Sequence, residues 1–176
     1  YDDGENWWSR AGVPSNMPVG EPGGPDSEMF FDHDPDGDPM AHPADGGARF
    51  VEIGTNVFMS HKRTEDGFVL FDRPNIDYGG GLERILSAAT GEVDVYKSPF
   101  FNGPMQHLED QSGKSYADNE KAFRIILDHT RATVFLLASG VYPSNKDAGY
   151  VVRRLIRRAA RVGKTLGFEG AFLSDL

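Results

Sequence analysis

The sequence has no cysteine, so no disulfide framework, thiolate zinc site or iron–sulfur cluster can be built from it. No apolar run approaches the roughly 18 residues that a membrane-spanning helix needs, and the opening Tyr1-Asp2-Asp3-Gly4 lacks the basic-then-apolar order of a secretion signal. A cytoplasmic protein without a membrane partner is the expectation. Internal repeats and low-complexity tracts are also lacking. The chain opens on Tyr rather than Met, which points to a piece of something longer.

Basic charge is scarce in one part and acidic charge in the other. Residues 1–120 hold 8 Lys and Arg against 23 Asp and Glu, a net of −15, whereas residues 121–168 hold 10 Lys and Arg against only Asp128 and Asp147, a net of +8. The overall charge of −9 hides this split. An asymmetry of this kind points to an anion or nucleic-acid surface on the basic side. Hydrophobic residues at 39% and charged residues at 26% are ordinary globular usage, so most of the chain is expected to fold.

Residues 11–48 collect most of the prolines and many glycines without a helical or alternating period, and read as loop interrupted by a short strand at Ser27–Asp32. Arg49–Ile53 and Asn56–His61 read as two further strands, and the turn Thr64-Glu65-Asp66-Gly67 before Phe68–Phe71 reads as a β-hairpin. From Gly81 the spacing becomes helical: Leu82 to Gly91, about Pro99 to Gly113, and a long buried helix from Tyr116 to Ala138. The fold class is therefore α+β, an antiparallel sheet over residues 1–96 followed by an all-helical part over 97–176.

The last helix, about Asp147 to Leu166, has the cleanest periodicity. At about 100° per residue, Arg153, Arg154, Arg157, Arg158, Arg161 and Lys164 fall within an arc of roughly 140°, opposite Val151, Val152, Leu155, Ile156 and Ala159. Solvated helix faces usually mix acids with bases, and no acid follows Asp147 until Glu169. The stripe suits nucleic-acid phosphates or an acidic partner, the acidic first half among them.

Several motifs fail on spacing. Asp32-His33-Asp34-Pro35-Asp36-Gly37 opens like a calcium loop, but its bidentate Glu position is Pro43. Gly163-Lys164-Thr165 ends like a phosphate loop, but the first glycine of that motif is replaced by Arg158. The five histidines show no paired helical spacing, and no Gly-x-Ser-x-Gly elbow occurs. What survives is Asn75-Ile76-Asp77-Tyr78-Gly79-Gly80-Gly81-Leu82-Glu83-Arg84: an acid at a strand end, three glycines that let a ligand approach the backbone, and a helix entry suited to an anionic nucleotide. Arg84 can stack on a base or reach a phosphate, and Asp77 can pair with a substrate ammonium. A plain glycine-rich turn before a helix fits the same stretch.

This stretch resembles motif 3 of the class II aminoacyl-tRNA synthetases, in the Asp-x-Gly-x-Gly-Leu-Glu-Arg form of the alanyl-tRNA synthetase family. The resemblance covers nearly the whole chain: Glu5-Asn6-Trp7-Trp8, Pro25-Asp26-Ser27-Glu28-Met29-Phe30-Phe31-Asp32-His33, Glu52-Ile53 with Val57-Phe58-Met59, Asp128-His129-Thr130-Arg131, Gly140-Val141-Tyr142-Pro143-Ser144-Asn145 and Gly149-Tyr150-Val151-Val152-Arg153-Arg154 follow in the family's order. It implies activation of alanine by ATP with Mg²⁺, through in-line attack on the α-phosphate, and transfer to the 3′ end of alanine tRNA.

By that resemblance Asp77 holds the ammonium, Gly79, Val57 and Trp8 shape a pocket for a methyl side chain, and Gly81 and Arg84 serve ATP. Asn145 would read the G·U pair of the acceptor stem, beside Arg153, Arg154, Arg157, Arg158 and Arg161. Two of these residues keep a plainer reading as well: Trp8 as a core aromatic, and Asn145 as part of a helix capping box led by Ser144. The chain departs from the family at Gly54-Thr55-Asn56, where Trp-Asn is frequent, and in its cysteine-free Gly/Pro loop. Motifs 1 and 2 are expected upstream, and a zinc-binding editing domain downstream. The isolated piece is therefore expected to be inactive. A non-catalytic RNA-binding module that keeps this fold is the alternative.

Overall fold

The computed structural model describes Gly4 and residues 6–176. Glu5, which opens the Glu-Asn-Trp-Trp stretch, lies outside the described residues. The chain divides into two compact units, Tyr1–Val95 and Tyr96–Leu176.

The first unit is an antiparallel meander of four strands in sequence order: β1 (Trp7–Ser9), β2 (Pro22–Asp32), β3 (Phe50–Thr64) and β4 (Gly67–Gly80), followed by α1 (Leu82–Thr90). The hairpin forms where the turn residues place it: Thr64 pairs with Gly67 across the two-residue loop Glu65-Asp66, and Gly67 takes φ 136°, a backbone open to glycine. The strands are longer than the apolar runs suggested. β2 starts at Pro22, inside the stretch expected as loop, because Gly23 and Gly24 let neighbouring strands close in; a methyl group at Gly24 would lie 1.8 Å from the Phe58 carbonyl oxygen.

The two strands expected over residues 49–61 are one. Gly54 does not break β3: it is buried, pairs with Met29 on one side and Gly80 on the other, and lies under the Tyr78 ring. A methyl there would sit 2.7 Å from the Tyr78 hydroxyl oxygen, an aromatic side chain covering strand glycines. Pro74 falls where the β3–β4 register slips between Met59 and His61, so its missing N–H costs no ladder bond. Trp7, His61 and Phe68 form an aromatic cluster with ring centroids 5.5–6.3 Å apart. Val57 and Met17 are buried. The Asp32–Asp36 segment is structural: Asp32 receives two hydrogen bonds of 2.8 Å from the Arg49 guanidinium, which hold its carboxyl down to about 2.

The second unit holds α2 (Asn102–Ser112), α3 (Tyr116–Ala138) and α4 (Asp147–Gly163), with a 3-10 turn at Lys164–Leu166. Gly91 and Gly113 close α1 and α2 in the left-handed conformation. Ser115 caps α3, its hydroxyl accepting from the Asp118 N–H. Phe123, Ile126 and Leu127 of α3, Val152 and Ala159 of α4, Leu108 and Leu166 are all buried, and α3 packs against both α4 and α2. α3 is not buried along its whole length, since Val134 and Phe135 are more than half exposed. Val151 is half exposed too, which narrows the apolar side of α4 to the line through Val152, Ala159 and Gly163. Among the described residues no helix is long and apolar enough to cross a membrane.

Candidate functional site

Antiparallel pairing sets opposite residues side by side, and here it joins distant parts of the chain. Asp77 stands across from Val57, Val57 from Asp26, Gly79 from Thr55, and Thr55 from Glu28. With a period of two, these side chains share one face of the sheet. Together with Trp8 from β1 and Gly81 at the start of α1, they line an open cavity of about 480 Å³. The cavity thus brings together Trp8, Val57, Asp77, Gly79 and Gly81, five of the residues singled out from the sequence. Trp8 is 40% exposed on it, which sets aside the core-aromatic reading.

Gly79 is open on its side-chain face, with nothing within 4 Å of where a Cβ would stand, so it leaves space rather than relieving a clash. Gly80 differs, because a methyl there would meet the Tyr78 hydroxyl oxygen at 2.6 Å. Asp77 is exposed, and its Oδ1 accepts from the Tyr78 N–H at 3.0 Å. That bond fixes the rotamer of a carboxylate standing at the cavity.

Arg84 lies in the first turn of α1 and does not line the cavity itself. Its Nη1 donates to both the carbonyl and the Oε2 of Glu52, each at 3.0 Å, leaving the guanidinium half exposed. Glu52 also accepts from the Thr55 hydroxyl at 2.7 Å. Sequence reasoning passed over Glu52, Thr55, Asp26 and Glu28 as site residues. Asp26, Glu28 and Glu52 were quoted only within the resemblance and Thr55 only as a departure from it, and spacing along one strand carries no signal for a site assembled across four.

Four carboxylates therefore meet in this cavity: Asp26, Glu28, Glu52 and Asp77. Such a lining attracts a cation such as an ammonium and disfavours a bare polyphosphate. Among the described residues no three potential metal ligands are grouped so that they could hold a metal ion between them.

A second feature lies in the helical unit. Arg153, Arg154, Arg157, Arg158 and Arg161 line an open groove of about 720 Å³ along α4, joined by Tyr150 and by His129 of α3. His129 is buried, its Nδ1 2.8 Å from the Asp128 carboxylate. Arg154 stands 5.9 Å from the Tyr150 ring centroid.

The loop before α4 differs from expectation. Ser144 does not cap the helix. The N-cap is Lys146 with no side-chain bond, and the Ser144 hydroxyl instead donates to the Lys146 carbonyl and accepts from its N–H. Asn145 is not free, since its Oδ1 accepts from Arg153 Nη1.

The family model described as tRNA synthetases class II (A) matches residues 2–176. The chain belongs to the class II tRNA synthetases. Among its relatives, an alanine–tRNA ligase of Treponema denticola is 41% identical over 180 residues, covering 97% of this chain and 28% of that protein. One of Pseudomonas savastanoi pv. phaseolicola is 42% identical over 158 residues, covering 88% of this chain and 18% of the relative. One of Lactobacillus acidophilus is 38% identical over 198 residues, covering 99% and 22%. This synthetase chain thus spans less than a third of the curated relatives it matches, and its α+β architecture is that of the class II fold.

Proposed function

We propose that this chain is the part of an alanine–tRNA ligase that carries motif 3 and the first tRNA-facing helices. In this reading the unit ending at Val95 is the C-terminal part of the catalytic domain, and the unit from Tyr96 begins the tRNA-recognition domain. The observation that carries it is the cavity in which Trp8, Val57, Asp77, Gly79 and Gly81 converge from three strands and a helix start.

Asp77 pairs with the ammonium of alanine. Val57 and Trp8 bound the space for its methyl group, and the open face of Gly79 admits the substrate. Arg84, held by Glu52, presents its exposed edge to ATP. The cavity's acidic lining needs a counter-charge before a triphosphate can sit beside it. Mg²⁺ fits that need: it is usually held by phosphate oxygens with one or two carboxylates, not by a protein cage, and the cavity presents carboxylates at Asp26, Glu28, Glu52 and Asp77. The metal would neutralise the phosphates, beside the Glu52 carboxylate that pairs with Arg84. The residues of this chain position and charge-match; the groups that clamp the α-phosphate are assigned to preceding sequence. The α4 groove takes the acceptor stem of alanine tRNA, with Asn145 at the base pair and Arg154, Arg157, Arg158 and Arg161 on the phosphates. The ligase works in the cytoplasm.

Alanine-dependent ATP–pyrophosphate exchange tests the reading. The longer protein is expected to exchange with alanine in preference to larger amino acids, and the 176-residue chain alone not to exchange. Exchange by the longer protein with another amino acid but not alanine, or robust exchange by this chain alone, would refute it. A non-catalytic RNA-binding module is the second reading, favoured by the five arginines that line the α4 groove. It predicts RNA binding by a longer protein that shows no exchange.

A further inference from the structure

Arg153 stands apart from the other arginines of α4. Arg154, Arg157, Arg158 and Arg161 are exposed, as a phosphate-facing row requires, whereas Arg153 is half-buried. Its Nη1 donates to Oδ1 of Asn145, eight residues earlier in the chain. A guanidinium has donors and no acceptor, while a carboxamide has one oxygen that accepts and one nitrogen that donates. The contact therefore settles the amide's orientation: oxygen toward Arg153, NH₂ away from it.

The turn that carries Asn145 is held from beneath as well. The Ser144 hydroxyl bridges the N–H and carbonyl of Lys146, and Ser144 N–H donates to the Gly149 carbonyl at 3.0 Å. Asp147 closes the turn with φ 49°, in the left-handed region. The loop packs directly on Gly149, where a methyl would lie 2.3 Å from the Ser144 hydroxyl and 2.5 Å from the Tyr142 carbonyl oxygen. Backbone and amide are both fixed, and the exposed Asn145 turns its NH₂ away from Arg153.

We propose that Arg153 is a positioning residue that aims the Asn145 NH₂ at an acceptor atom on an RNA base edge, and is not itself a phosphate contact. This rests on the reading of the α4 side as the RNA face. The two roles leave different signatures. A phosphate contact contributes about 0.7–0.9 to the slope of log affinity against log salt and acts on all sequences alike. A residue acting through Asn145 changes discrimination between sequences and leaves the slope nearly unchanged.

The test is binding of this chain, followed by fluorescence anisotropy across a salt series, to two acceptor-stem hairpin RNAs that differ only in a G·U or a G·C pair. Arg157→Gln is expected to weaken both hairpins equally and lower the slope by about 0.7–0.9. Arg153→Met, which has no donor, is expected to hold the slope within a few tenths and bring the affinity ratio of the two hairpins to that of Asn145→Ala. Adding Arg153→Met to Asn145→Ala should change the ratio no further, since the one acts through the other. Arg153→Lys keeps a charged donor for a single-point contact and should restore the ratio.

Loss of slope by Arg153→Met with an unchanged ratio would overturn the proposal and return Arg153 to the phosphate row. An Asn145→Ala ratio equal to the wild type, with the Arg157→Gln slope still reduced, would remove the base-reading role on which the proposal stands while leaving the RNA face intact. An unchanged slope in Arg157→Gln as well would remove the RNA face itself.

Discussion

Gly149→Ala sets two physical effects against each other, and the structure decides which is larger. Gly149 is the third residue of α4 with helical backbone, so alanine should favour the helix by about 1 kcal/mol on propensity alone. A methyl group at this position, however, would stand 2.3 Å from the Ser144 hydroxyl, 2.9 Å from the Ser144 Cβ and 2.5 Å from the Tyr142 carbonyl oxygen. The hydroxyl is engaged with both ends of Lys146 and the carbonyl is backbone, so neither yields by a side-chain rotation alone. Overpacking of this kind costs roughly 1–3 kcal/mol. The net expectation is a loss of about 1 kcal/mol in urea unfolding of the helical unit, accompanied by displacement of residues 142–147. Because those residues carry Asn145, G·U against G·C discrimination by hairpin RNA should fall together with stability. A variant that gains about 1 kcal/mol and keeps the wild-type RNA ratio would refute the argument that the loop is seated on Gly149.

Two further outcomes follow from the first unit. Gly54→Val should lower stability by roughly 1–3 kcal/mol by driving the Tyr78 ring off β3, and Gly54→Val with Tyr78→Ala should recover much of that loss; thermal unfolding of the two variants checks the coupling, and simple additivity would count against it. The Asp32 carboxyl, held near 2 chiefly by its hydrogen bonds from Arg49, contributes stability that is fully present above its ordinary pKa of 3.8 and is lost as pH falls through about 2. An NMR titration should follow that carboxyl downward, and Asp32→Asn should flatten the acid limb between about pH 4 and 2; a midpoint near 4 for Asp32 would contradict the ion pair.

The helical unit was legible because its signals are local. The residues from Tyr116 to Ala138 carry their own apolar period and are closed by a serine cap and a glycine, and the structure ends α3 at the same residues, with a kink at Asn119 (φ −133°, ψ 26°) that the period does not show. The sheet was legible at the hairpin and little elsewhere. β1 is three residues long, β2 begins in a Gly/Pro stretch, and β3 runs through a glycine, because each depends on what the neighbouring strand permits at Phe58 or Tyr78 and not on its own sequence. The same holds for the site. Asp77, Gly79, Gly81 and Arg84 sit in one contiguous motif and drew attention together. Glu52 and Thr55 became part of the site only when pairing across β3 and β4 brought them beside it. A helical wheel places Arg153 with the other cations, and it cannot show that an asparagine outside the helix takes up one of them.

The central claim is that the Asp77 carboxylate holds the ammonium of alanine. The most direct measurement is Asp77→Asn in the longer ligase, with KM for alanine and for ATP determined separately by pyrophosphate exchange. A hydrogen bond to a charged group contributes about 1.5–3 kcal/mol, so KM for alanine should rise roughly 10- to 150-fold while KM for ATP changes little. An unchanged KM for alanine, or an equal rise for both substrates, would contradict the account.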